Sequence, residues 1–160
     1  MHVSFRPLTP ADQPFLWEMC YHAVHLPAGQ PPYPREIVHV PEISRYVQDW
    51  GRPDDLGLIA LNDGTPVGAA WFRLLIGDNK GYGYVDTSTP ELSMALLPEY
   101  RGRGIGSQLL ARLLEATAPR YAAICLSVSL DNPAQRLYQR TGFEIVRENE
   151  SAFTMIKRFH

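Results

Sequence analysis

The chain has 160 residues, 45% of them hydrophobic and 20% charged, with a formal net charge of −2, the profile of one globular domain over 1–160 with a packed core. That balance excludes a disordered tail. It also gives no general attraction to nucleic acid or an anionic membrane, because counterion release needs many clustered Lys and Arg.

No stretch approaches the roughly 18 uninterrupted apolar residues of a membrane span, and Met1–Pro10 lacks the apolar centre of a secretory signal, so a cytoplasmic protein is expected. Cys20 and Cys125 sit in apolar sequence and read as two buried free thiols. His22 and His25 have helical spacing but no HExxH pattern and no cysteine partner, so no metal is expected.

Val3, Phe5 and Leu8 alternate with polar residues up to Thr9-Pro10, which predicts a first strand, and Phe15, Leu16, Met19 and Val24 give a following helix near 11–25 its apolar stripe. Five prolines between Leu26 and Pro41 force an irregular connector of the kind that shapes a binding mouth. Glu42–Asp49 reads as a short helix ending before Gly51. The runs 56–61 and 66–76 flank Asn62-Asp63-Gly64 and predict a hairpin. Gly77–Pro90 is polar and Gly-rich and reads as a surface loop in which Tyr82 and Tyr84 could line a pocket. Glu91–Leu97 is the next strand. Ile105, Leu109, Leu110, Leu113 and Leu114 form the stripe of a helix over 105–118, ended by Pro119. The nearly continuous apolar run 122–130 reads as a strand buried on both faces, 131–141 as a helix stopped by Gly142, and 143–147 and 152–158 as two last strands. This order mixes hairpins with crossover helices and predicts a mixed α/β sheet without internal repeats.

The chemistry concentrates between the strand at 91–97 and the helix at 105–118. Gly102, Gly104 and Gly106 alternate there with Arg101, Arg103 and Ile105, and Ser107 follows. Such glycines let the backbone turn sharply with converging N–H groups, the helix N-terminus adds partial positive charge, and the arginines add more, so the segment is built to hold phosphate oxygens. It is neither GxxxxGK[ST] nor GxGxxG, since Leu109 stands where the latter needs its third glycine. Nucleotide hydrolysis and dinucleotide redox chemistry therefore lose support.

Arg101–Gly106 resembles the R/Q-x-x-G-x-G/A signature of the GNAT superfamily of acetyl-coenzyme A-dependent N-acetyltransferases, and Asn132–Phe143 resembles that family's second hallmark, in the right order and separation. The resemblance runs from about Val3 to Arg158. It implies a twisted mixed sheet whose central strands 91–97 and 122–130 splay apart, with the pantetheine arm of acetyl-coenzyme A in the gap. Backbone groups of Met94, Ala95 and Leu96 would bond the arm as an added strand does, and Gly102–Ser107 would hold the pyrophosphate. It also implies a direct transfer in a ternary complex, without a covalent enzyme intermediate, to a small-molecule or peptide amine that the sequence does not name, and a possible homodimer.

An alkyl amine with a pKa near 10.4 must lose a proton before it attacks, at a cost of about 4.6 kcal/mol at neutral pH. Glu91 opens the central strand and shares a face with Ser93 and Ala95 that can look into the cleft. The family places a glutamate near this point, which makes Glu91 the expected base; Asp86 and Glu99 are weaker choices. By the same resemblance the hydroxyl of Tyr138, in the pair Leu137-Tyr138, would protonate the departing sulfur. The family asparagine often stands seven residues before that tyrosine. Here Asn132 stands six before it and Asp131 seven, so either could touch the cofactor, and Asn132 could instead cap its helix ahead of Pro133. The alternative from another class is a non-catalytic acyl-coenzyme A sensor.

Overall fold

A computed structural model describes residues 1–159. Among them β1 (Val3–Pro7), β2 (Leu56–Asn62), β3 (Thr65–Arg73), β4 (Glu91–Leu96), β5 (Ala123–Ser129), β6 (Glu144–Glu148) and β7 (Ala152–Arg158) form one sheet in the order β1-β2-β3-β4-β5-β7-β6. All neighbours are antiparallel except β4 and β5, the pair joined through a crossover helix. The expected mixed α/β sheet is thus what forms.

The helices are α1 (Gln13–Ala23), α2 (Pro41–Ser44), α3 (Ile105–Thr117) and α4 (Ala134–Arg140). Strand alternation sends Leu92, Ala70 and Phe72 to one face of the sheet, where the leucine stripe of α3 and Tyr138 of α4 cover them. It sends Ala69, Trp71 and Ala95 to the other, where Leu16, Met19 and Cys20 of α1 and Val38, Val47 and Trp50 of the connector pack. The Asp63-Gly64 turn closes the β2–β3 hairpin as its sequence demands.

Three elements differ from the sequence reading. The first helix begins with a 3-10 turn at Pro10–Asp12 and becomes α-helical only from Gln13. The helix expected over 42–49 stops at Ser44, because the next four carbonyls are captured by side chains from elsewhere and Asp49 takes φ +56°. The helix expected from 131 starts at Ala134, since Asp131 and Asn132 make a turn in which the Asn132 N–H donates to Ser129 O.

Candidate active site

The site is a divergence between two strands. β4 and β5 share a single bridge, Glu91↔Cys125, where the Cys125 N–H donates to Pro90 O at 3.0 Å, and beyond it they part. β4 pairs with β3 along its whole length, and the pairing phase follows from Leu97, whose N–H donates to Val67 O. Backbone groups of odd-numbered β4 residues therefore face β3, and those of Met94 and Leu96 face the open gap. Of the three backbone positions expected along the pantetheine arm, Ala95 is the exception: its ladder groups already lie on the β3 side.

At the wide end of the gap lies the glycine-rich turn. Gly102 and Gly104 adopt φ +75° and +82°, a region that L-residues avoid, and a Cβ at either would meet nothing, so this side of the loop is open. Gly104 is the N-cap of α3, which leaves the N–H groups of Ile105, Gly106 and Ser107 without helical acceptors. Gly106 sits over Met94 and Leu96, which brings the helix N-terminus to the mouth of the gap. Arg101 and Arg103 are exposed, the latter with its guanidinium 5.4 Å from the Tyr100 ring. These positions fit a pyrophosphate on the turn and an extended arm between the strands.

At the narrow end is Glu91. It is only 3% exposed, not the solvated strand-end carboxylate its position could equally have meant. Oε2 accepts hydrogen bonds from the Tyr46 hydroxyl and, at 3.1 Å, from the Gly83 N–H, whereas Oε1 is buried without a partner. Burial lifts its pKa to about 7, while Tyr46, Gly83 and the more distant Arg147 pull the other way. A Cβ at Gly81 would overlap Glu91 Oε1 and the Tyr46 hydroxyl, and one at Gly83 would stand 2.6 Å from the carbonyl carbon of Leu126. The stretch 81–83 is therefore a close-fitting cover over the carboxylate, not the plain surface loop its polar composition predicts. Outside Gly81, Glu42, Arg45, Lys80 and Tyr82 line a cavity of about 70 Å³.

Tyr138 lies on the other face of the sheet. It is 8% exposed and packs edge-on to Phe143 with ring centroids 5.7 Å apart, and its hydroxyl bonds to no other described residue; burial pushes the phenol up to about 12, so it stays a proton donor at neutral pH. Asn132 Oδ1 accepts the Ala134 N–H at 2.9 Å in a turn ahead of α4, whose N-cap is Pro133 rather than Asn132, while Asp131 points outward with its Oδ1 3.2 Å from His25 Nε2. Both cysteines are buried and free, and burial lifts Cys20 to about 12 and Cys125 further, so neither thiol is primed as a nucleophile. Trp50 and Trp71 belong to the core, whereas Tyr82 is 59% exposed beside the small cavity.

Tyr46 and the cover glycines escaped the sequence reading. Tyr46 is 45 positions from its partner and lies in a segment with no motif. Gly81-Tyr82-Gly83 did carry a signal, because isolated glycines flanking a bulky residue often mark a close backbone approach.

The acetyltransferase (GNAT) family model matches residues 17–143, which contain the glycine turn, the splayed strands, Glu91 and Tyr138. The chain belongs to the GNAT acetyltransferase family. Two curated relatives are mycothiol acetyltransferases, from Thermobispora bispora (40% identity over 70 residues, 42% of this chain and 24% of the relative) and Corynebacterium aurimucosum (30% over 109 residues, 63% and 34%). The match thus spans about a quarter to a third of those longer proteins. Among solved structures, the PaiA N-acetyltransferase of Thermoplasma acidophilum in complex with coenzyme A superposes with a TM-score of 0.68 at 21% identity, covering 99% of both chains. That similarity shows the GNAT fold. Among the described residues no helix is long and apolar enough to cross a membrane.

Proposed function

We propose that this GNAT domain transfers the acetyl group of acetyl-coenzyme A to an amine by direct attack. One observation carries the reading: a buried carboxylate with a pKa near 7 stands where β4 and β5 separate, at the foot of a gap whose mouth is an amide-lined glycine turn. When bound, acetyl-coenzyme A supplies an activated thioester. The turn 102–107 holds its pyrophosphate, the gap-facing backbone of Met94 and Leu96 bonds its arm, and Asn132 flanks the exit at the start of α4.

Glu91 accepts the proton of the incoming ammonium group. A base with a pKa near 7 is about half ionised at neutral pH, and its strength rises with the pKa, so the shift suits general-base work. Its cover by Gly81 and Gly83 favours relay through intervening water over direct contact. Tyr138 approaches the gap from the opposite face of the sheet and gives its proton to the departing sulfur.

The acceptor enters on the Glu91 face, where Glu42, Arg45, Lys80 and Tyr82 meet. This mixed lining suits a small polar amine or a peptide amine. Thiol release from acetyl-coenzyme A over a panel of polyamines, amino acids, aminoglycosides, amino sugars and peptide N-termini tests the proposal. Turnover with one class is expected; saturable uptake without turnover on any amine would mark the domain as a sensor instead.

A further inference from the structure

Tyr46 is set on an unusually constrained piece of backbone. Arg73, buried on β3, donates to the carbonyls of Arg45 at 3.0 Å and Gln48 at 2.6 Å, and its own guanidinium is held by both Asp55 oxygens at 2.8 Å. Trp71 Nε1 donates to Tyr46 O at 3.0 Å, and Gln13 Nε2 to Val47 O at 2.8 Å. Four consecutive carbonyls are thus fixed to β3 and α1. From this platform the Tyr46 hydroxyl reaches across to β4, donates to Glu91 Oε2 and accepts the Tyr82 N–H at 2.8 Å. Oε2 thus accepts two hydrogen bonds, and Oε1, buried, is left with its lone pairs uncommitted.

Building on the assignment of Glu91 as base, we propose that Tyr46 is its positioning residue: the phenol anchors Oε2 and so makes Oε1 the oxygen that takes the proton. Phenylalanine would fill the same space and keep the platform. What it would lose is the anchor and the Tyr82 contact, so the hydroxyl is separable from the packing. The other groups around the carboxylate are the Gly83 N–H, the Cys125 thiol on β5 with Asp86 beyond it, Arg147 on β6, Arg73 directly opposite on β3 with its guanidinium engaged by Asp55, and, across Gly81, Arg45, Lys80 and Glu42. None of these changes in a Tyr46→Phe variant.

A hydrogen bond from Tyr46 favours the ionised carboxylate, so its removal must raise the pH at which Glu91 titrates, by about one unit for a single bond to a charged group. The full-length protein carrying 13C-carboxyl glutamate reads this by NMR without any acceptor, the Glu91 resonance being the one missing in Glu91→Gln. The midpoint is expected to move up in Tyr46→Phe and down when Tyr46 is replaced by a fluorotyrosine of lower phenol pKa, a series that keeps the fold should the phenylalanine variant fail. An unmoved midpoint in both overturns the proposal. With the best amine of the panel, the acidic limb of kcat/KM should follow that midpoint while acetyl-coenzyme A affinity stays constant. A limb that persists unchanged in Glu91→Gln overturns the assignment of the base, and a limb lost there but unshifted in the Tyr46 variants overturns the positioning role alone.

Discussion

Glu91 makes a prediction about folding that needs no substrate. Its pKa rises from 4.5 in the unfolded chain to about 7 in the fold. The folded state therefore holds this proton more tightly, and the stability linked to it is complete below about pH 4.5, declines through the interval and is gone above about pH 7. The difference of about 2.5 units corresponds to on the order of 3 kcal/mol, with a steepest slope near 1.4 kcal/mol per pH unit. Urea unfolding at constant ionic strength, at steps across that interval, measures it; subtraction of the same series for Glu91→Gln removes all other titrating groups. Wild type should lose stability relative to the variant as pH rises. A flat difference would mean that Glu91 titrates alike in both states, and neither the burial argument nor its use as a base at neutral pH would survive.

Other consequences concern separate parts of the site. Tyr138→Phe should lower turnover by about 10²-fold with little change in acetyl-coenzyme A affinity, because the hydroxyl acts on the leaving sulfur; steady-state kinetics at saturating substrates check it. Gly83→Ala places a methyl against backbone atoms of Leu126 and Ser127 that cannot yield, so the cover must lift and Glu91 must lose an N–H donor; lower melting temperature together with lower turnover is expected, and unchanged values in calorimetry and kinetics would refute the close fit. Asp55→Ala strands the buried Arg73 guanidinium and should cost about 3–5 kcal/mol in urea unfolding.

The parts of this molecule legible in the sequence are those with local periodicity or local turn chemistry. The leucine stripe of α3, the Asp63-Gly64 hairpin and the alternating glycines after β4 each state their structure within about a dozen residues, since helix faces, tight turns and anion-holding amides are short-range features. Glu91 stands out because strand alternation gives it a face shared with Ser93 and Ala95 and because the family resemblance places a glutamate near this point. Its burial was not, because the cover comes from Gly81 and Gly83 and the anchor from Tyr46, none of which shares a pattern with it. The truncation of α2 has the same origin. Residues 45–48 have ordinary helical propensity, but Arg73, Trp71 and Gln13 offer their carbonyls better-placed donors, a tertiary preference that overrides a weak local one. The Asn-Pro pair announces a turn here, but the cap passes to Pro133, one residue later than the pattern suggests, and the outward turn of Asp131 toward His25 depends on the distant segment that follows α1.

If the glycine turn holds a thioester donor against the gap between β4 and β5, calorimetric titration with acetyl-coenzyme A will register it without any acceptor present. The wild-type domain should take up one equivalent saturably, and Gly104→Val, which puts a β-branched side chain at φ +82°, should abolish that uptake while leaving the far end of the sheet folded. No heat from the wild type, or equal binding by the variant, would mean that the turn does not hold the donor.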